Sequence, residues 1–259
     1  MRARGTIAVV VGLATAIGLA TPAAATAAPA TEVTGEVRSV RYDAATGITT
    51  EVIYTPAAGV STVELYQRLK AAGVPDLVDP SSRATVQDPF QCYWGTAYAL
   101  DSGRCPPISW TQDGLVRPRV TIMDYTNSAW PVHAATDTWN QSIAIDVIYG
   151  SCGLTGHCVR VHNNDYGPTG WAGGNYRQID ANRHIIDGSA RVQLNDYYHR
   201  NAPFNTYAGH RSTACHEVGH SIGVGHNMST SSCMYADQIS SNPQYPSSDD
   251  FGLLANIVY

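Results

Sequence analysis

Charge is scarce in this sequence. Asp, Glu, Lys and Arg make up 14% of its 259 residues, well below the share a globular domain usually carries. A single lysine, Lys70, stands against fifteen arginines, no run of basic residues occurs, and the net charge is −5 at pH 7. That balance excludes the electrostatic footprint of a nucleic-acid or anionic-membrane binder. Six cysteines are present but no Cys-x-x-Cys pair, which argues against an all-cysteine zinc site. Beyond residue 30 no apolar run is long enough to span a bilayer. Phe is rare, at 3 residues, whereas Tyr occurs 15 times, so much of the aromatic packing falls to rings with a polar tip, as suited to exposed loops as to a binding surface.

What is present begins with a targeting segment. Arg2 and Arg4 precede an apolar stretch from Thr6 to Ala20, and Ala25-Thr26-Ala27 and Ala28-Pro29-Ala30 both fit a small-x-small cleavage site. Residues 1–30 are therefore expected to be a secretory signal, leaving an extracellular chain with no membrane anchor. Losing Arg2 and Arg4 takes the net charge from −5 to −7. All six cysteines lie beyond this segment, and in an exported protein an even set is read as disulfides. Every connectivity is open from sequence alone; nearest-neighbour spacing suggests Cys92 with Cys105, Cys152 with Cys158, and Cys215 with Cys233.

Two regions follow. In residues 31–90, Glu36 to Tyr42 and Ile48 to Tyr54 alternate polar with apolar around Asp43-Ala44-Ala45-Thr46-Gly47, the pattern of a hairpin. Ser61-Thr62-Val63-Glu64 reads as a capping box opening a short helix with Val63, Tyr66 and Leu69 on one side. Ala72-Gly73-Val74-Pro75 ends it, and a loop rich in Pro, Ser and Asp runs to Pro89. This region is expected to be a propeptide, with a permanent small subdomain as the alternative. Residues 91–259 are long enough for one well-buried domain. There, Val120 to Tyr125 reads as a strand, and Asn127-Ser128 as the cap of a helix with Pro131 in its first turn. Val132, Ala135, Thr136 and Trp139 fall at i, i+3, i+4 and i+7, a buried helical face. Ile143 to Tyr149, Cys158 to Asn163 and Ala190 to Tyr198 are short β-type runs.

The chemistry sits in Ala214-Cys215-His216-Glu217-Val218-Gly219-His220-Ser221-Ile222-Gly223-Val224-Gly225-His226, which reads H-E-x-x-H-x-x-G-x-x-H. His216 and His220, four apart, lie one turn above the other on one helix face, where two imidazoles can grip one Zn²⁺. Glu217 is placed to take a proton from a zinc-activated water without binding the metal. Gly223 lets the chain leave the helix with φ > 0 and bring His226 back as third ligand. Three protein ligands leave a position open, as in catalytic zinc sites; structural sites are closed by four.

With Cys233-Met234-Tyr235 downstream, the chain resembles the metzincin zinc endopeptidases, and the Met234-Tyr235 pair is most similar to the matrixins. The resemblance is specific over about residues 212–235 and weaker from about 117 to 259. It implies His216, His220 and His226 as ligands of one catalytic zinc, Glu217 as general base, and Met234 as a floor beneath the histidines. It implies an α+β fold, with a twisted mixed β-sheet, a zinc helix and a C-terminal helix at Pro246 to Leu254. It also implies a substrate strand added to a sheet edge, for which Gly170 to Ile179 is the candidate. With the methionine turn beneath the histidines, Cys215 and Cys233 could meet.

Two family features are not matched. His157, His162, Asp165 and His184 have the wrong spacing for the matrixin structural zinc, so no second zinc is expected; calcium on loop carboxylates such as Asp165 is left open. Gly103-Arg104-Cys105-Pro106-Pro107 is similar to the matrixin cysteine switch but lacks the glycine and aspartate after the cysteine, and using Cys105 as a ligand would orphan Cys92. The expectation is thus a secreted, monomeric zinc endopeptidase acting on protein or peptide substrates. The alternative is a zinc-containing binding or adhesion protein that no longer turns over, against which the intact Glu217 speaks.

Overall fold

The expected hairpin is present as β1 (Val37–Asp43) and β2 (Ile48–Pro56); alternating burial holds in β2, whereas β1 buries its first three residues and exposes its last four. Gly47, at φ +71°, closes the turn between them. The computed structural model describes residues 35–80, 92–100, 107–153 and 156–259. The expected signal segment, the loop approaching Pro89 after residue 80, and the Gly103 to Cys105 stretch lie outside these residues. After the hairpin come α1 (Thr62–Ala71), β3 (Tyr93–Trp94), β4 (Ala97–Ala99), β5 (Arg119–Asp124) and α2 (Val132–Trp139). Then follow β6 (Asp146–Tyr149), β7 (His157–Asn164), β8 (Trp171–Ile179), β9 (Arg191–Asn195), α3 (Tyr207–Ser221), β10 (Val224–Asn227) and α4 (Ser248–Leu253).

The fold is mixed α and β. Seven strands form one sheet in the order β1-β2-β8-β9-β7-β5-β6, and β10-β4-β3 form a smaller one. β6, β5, β7 and β9 run parallel, whereas β8, β2 and β1 are antiparallel to their neighbours. The parallel strands mix buried apolar residues with polar ones, and β6 leaves Ile148 and Tyr149 exposed. Val120, Ile122, Val147, Val159, Val161, Val192 and Leu194 belong to one buried cluster with Val132, Ala135 and Trp139 of α2 and Ala214 and Val218 of α3. Each Val, Ile or Leu among them contributes roughly 1.5–3 kcal/mol on burial. The Trp139 indole also donates to the Cys215 carbonyl at 2.9 Å, tying α2 to the helix that carries the histidines. A second cluster of Val37, Leu65, Tyr66, Leu69 and Trp171 joins α1 to the hairpin and β8.

Three local readings are corrected. Ser61 does cap α1, accepting from the Glu64 N–H at 3.2 Å, but Val63 is exposed and Leu65 joins Tyr66 and Leu69 on the buried side. α2 starts at Val132 with Pro131 as its cap residue and no side-chain cap. Asn127 instead closes a preceding turn, accepting from Ala129 N at 2.9 Å. The third correction bears on function. β8 occupies the span expected for a substrate-binding edge, but β2 pairs along it from Thr49↔Ile179 to Pro56↔Trp171. The edge is filled by the chain's own N-terminal strand.

Two disulfides join Cys152 to Cys158 and Cys215 to Cys233. Cys92 is also disulfide-bonded, and its expected partner Cys105 lies outside the described residues. No helix among the described residues is long and apolar enough to cross a membrane.

Candidate metal centre

Thr206 starts the central helix by accepting from Gly209 N at 3.1 Å, and α3 then runs to Ser221 with its second half buried. His216, Glu217 and His220 lie on it, in consecutive turns. Gly223, at φ +98°, turns the chain out; a Cβ there would stand 2.7 Å from the Ile108 carbonyl oxygen. β10 then brings in His226. The ligating atoms of His216, His220 and His226 lie within 4.8 Å of one another, and all three side chains are buried. Among the described residues no other group of three or more His, Cys, Asp or Glu side chains comes together this way.

The donor set fits a metal ion. His216 Nδ1 lies 2.8 Å from the Cys233 carbonyl oxygen and His220 Nδ1 lies 2.9 Å from that of Val224. Nδ1 of each neutral ring thus carries the proton, leaving a lone pair on each Nε2. Those two Nε2 atoms stand 2.9 Å apart. Burial pushes the His216 pKa down to about 3 and that of His220 well below its usual value, and His226 adds to both shifts by charge repulsion. Two facing lone pairs with no proton between them repel. A cation bound by both removes the conflict.

Glu217 is fully buried beside this group. Its Oε1 accepts from Thr55 Oγ1 at 2.7 Å, and its Oε2 has no hydrogen-bond partner among the described residues. Burial raises its pKa to about 8; the Thr55 hydrogen bond opposes the shift and the Glu36 carboxylate adds to it. Gly173 makes room for this side chain, since a Cβ there would stand 2.3 Å from Glu217 Oε1. Met234 is fully buried against α3: a Cβ on Gly219 would meet its sulfur at 2.4 Å and Trp139 at 2.6 Å. The Cys215–Cys233 bridge fixes the same turn to α3.

The other candidate ligands are scattered. His157 stacks on Trp110 and bonds the Thr111 carbonyl at 2.8 Å. His162 stacks on Tyr125 with centroids 4.7 Å apart, His184 lies 3.9 Å from Asp180, and Asp165 pairs with Arg200.

The N-terminal strands reach the same centre. Glu36, just before β1, places Oε2 3.6 Å from His226 Nε2 and 3.9 Å from His220 Nε2. Arg38 bonds Glu36 and also Glu51 of β2, at 3.1 Å to the latter. Arg177 of β8, completely buried, donates to Glu51 at 2.8 Å and to the His220 carbonyl at 3.1 Å. Beside His216 a narrow cleft is lined by Thr55, Thr213, Tyr235 and Gln238. No protein-family model and no curated protein matches the sequence. Sequence reasoning singled out the three histidines, Glu217 and Met234. Thr55, Gly173, Gly219 and Arg177 were not singled out, nor was any role for Glu36 beyond its strand. Their roles rest on pairings between distant segments, which no local pattern announces.

Proposed function

We propose that this chain is a secreted endopeptidase of the metzincin type, with one zinc ion held by His216, His220 and His226 and Glu217 as its general base. The observation that carries the reading is the pairing of a buried three-imidazole donor set with an adjacent carboxylate whose Oε2 is unengaged. A metal store or a structural clamp needs no such base. The disulfides support an oxidising, extracellular setting.

Zinc, when bound, supplies Lewis-acid polarisation of the scissile carbonyl and acidification of water. Glu217 Oε2 receives the proton of the attacking water as the new C–O bond forms. It holds that proton in a water-poor pocket and then delivers it to the departing amine nitrogen as the C–N bond breaks. Thr55 and Gly173 bear on Oε1 and so fix the carboxylate's orientation. Met234, packed on Gly219 between the two helical histidines, keeps the floor of the site rigid.

Casein hydrolysis by the secreted protein, before and after brief quenched trypsin treatment and with or without 1,10-phenanthroline, tests the reading. Chelator-sensitive hydrolysis that falls by about 10²–10⁴-fold in Glu217→Ala, with metal content unchanged, is expected. Hydrolysis that ignores the chelator or survives the substitution contradicts it. Metal binding without any hydrolysis selects the retired binding protein.

A further inference from the structure

We propose that the face of the seven-stranded sheet turned away from α2 and α3 is a docking surface for an acidic polysaccharide, held through Arg160 and Arg191. Strand alternation settles which side chains this face carries. Val159 and Val161 of β7 and Val192 and Leu194 of β9 enter the core shared with α2 and α3. Asn175 and Arg177 of β8 bond the Glu217 and His220 carbonyls on the same side. Arg160, Arg191 and Tyr176 therefore point the other way, opposite the histidine centre. Register aligns them in one row across the sheet: Met123↔Arg160, Arg160↔Arg191, Arg191↔Tyr176 and Tyr176↔Val52. α1 covers only the far end of this face, where Val37 and Trp171 pack on Leu65 and Tyr66. Arg191 is left exposed and Arg160 half-buried.

Two arginines side by side on strands about 4.8 Å apart repel one another, and among the described residues neither forms an ion pair. Both are set to receive an anion from outside. The Arg191 guanidinium lies 4.2 Å over the Tyr176 ring, which fixes its plane while its in-plane donors stay unused among the described residues. Arg160 gives one N–H to the Gly188 carbonyl at 3.2 Å and keeps the rest of its fork. Such planar forks match a carboxylate with two parallel bonds. Acidic residues around the face are committed elsewhere: Asp146 of β6 to Arg117 and Arg119, Asp165 after β7 to Arg200, and Asp187 to the Cys158 N–H. In a chain of net charge −5, the middle of this face is thus locally positive, and attraction for a polyanion is confined to it.

The kind of polyanion follows from what the face offers. Backbone N–H and C=O groups inside a sheet are consumed by the ladder, so recognition here comes from side chains alone. A peptide draws its affinity from main-chain bonds at a sheet edge, which a face cannot give. A uronate polymer needs none of these. Its carboxylates meet the arginine forks, and the C–H faces of its rings lie on tyrosine, an apolar ring with a polar tip. Tyr125 supplies such a ring beside the arginines: it is half exposed and stacks flat on His162, two residues along β7 from Arg160.

Oligogalacturonate is titrated calorimetrically into the disulfide-intact full chain and into Arg160→Gln, Arg191→Gln, Arg191→Lys and Lys70→Gln, the last removing an exposed charge on α1. Wild type is expected to bind, and to bind more weakly as salt screens exposed charges. Each Arg→Gln variant should bind at least about 10-fold more weakly, the loss of a charge-assisted hydrogen bond. Arg191→Lys keeps the charge and the long stem but not the fork, so it should fall between and guards against a folding defect. Lys70→Gln should match wild type. No binding by wild type at low salt, or an equal loss in Lys70→Gln, overturns the surface. Neutral dextran bound as tightly overturns the role of charge. Poly-L-glutamate bound more tightly at the same arginines overturns the polysaccharide and assigns the face to an acidic peptide.

Discussion

At the scale of single residues, the interior of this protein is organised around histidines kept neutral. His216 and His220 each commit Nδ1 to a backbone carbonyl, which frees Nε2 for a metal. His199 shows the same neutrality without a ligand role. Its ring bridges the Asn195 carbonyl at 3.1 Å and Thr213 Oγ1 at 2.9 Å, and burial lowers its pKa from 6.5 to about 4, opposed by the Asn195 bond and reinforced by His210. The unfolded chain therefore binds a proton below pH 6.5 that the folded chain refuses until about pH 4. Stability should fall as pH drops through that window, by about 3 kcal/mol at 1.36 kcal/mol per pKa unit. Urea titrations of wild type and His199→Gln between pH 4 and 7 check this. The variant should show a shallower slope over the window, and parallel slopes would remove His199 as the source. The chemically decisive residues were legible in the sequence because their spacing is local: His216, Glu217, His220, Gly223 and His226 all belong to one helix and its exit. Gly173 and Gly219 were not, since what demands a glycine there is a side chain from elsewhere, Glu217 in one case and Met234 with Trp139 in the other.

At the scale of elements, α3 is held from three sides. Trp139 reaches it from α2, Asn175 of β8 donates to the Glu217 carbonyl at 3.1 Å, and the Cys215–Cys233 bridge ties it to the methionine turn. The bridge closes a loop with a sequence separation of 18, for which chain entropy gives about 3 kcal/mol of stabilisation. Because Cys215 precedes one ligand and the Cys233 carbonyl holds that ligand's Nδ1, loss of the bridge should loosen the metal as well as the fold. A Cys215→Ala/Cys233→Ala variant should unfold at lower urea and lose metal faster to a chelator; unchanged metal release would confine the bridge to a stability role. The hairpin was read from alternation, β5, β6, β7 and β9 as short β-type runs and α1 and α2 from their apolar faces, to within a few residues, whereas the short strands β3, β4 and β10 were not read. The start of α2 was misplaced because Asn127 has the chemistry of a helix cap and also that of a turn, and the turn took it. Which strand would lie on β8 could not be read, because hydrogen-bonded pairing between strands leaves no mark in either strand's own pattern.

At the scale of the whole molecule, a seven-stranded sheet includes the N-terminal hairpin, whose β2 pairs with β8 and whose Thr55 reaches Glu217 of α3. The hairpin is integral to this form of the chain: it contributes Glu51 to the buried Arg177 and Thr55 to Glu217. The sequence sets the same region apart as a segment ahead of the domain, and gives no hint that it pairs with β8 and places Thr55 in the lining of the cleft beside His216. The proposed function depends on a metal held by the three histidines. X-ray absorption at the metal edge of the purified full chain addresses this most directly. The account predicts one zinc per chain, with three imidazole nitrogens at about 2.0–2.1 Å and a single oxygen completing a tetrahedral shell. A chain that purifies and reconstitutes without zinc, or a shell dominated by sulfur or by six oxygens, would contradict it.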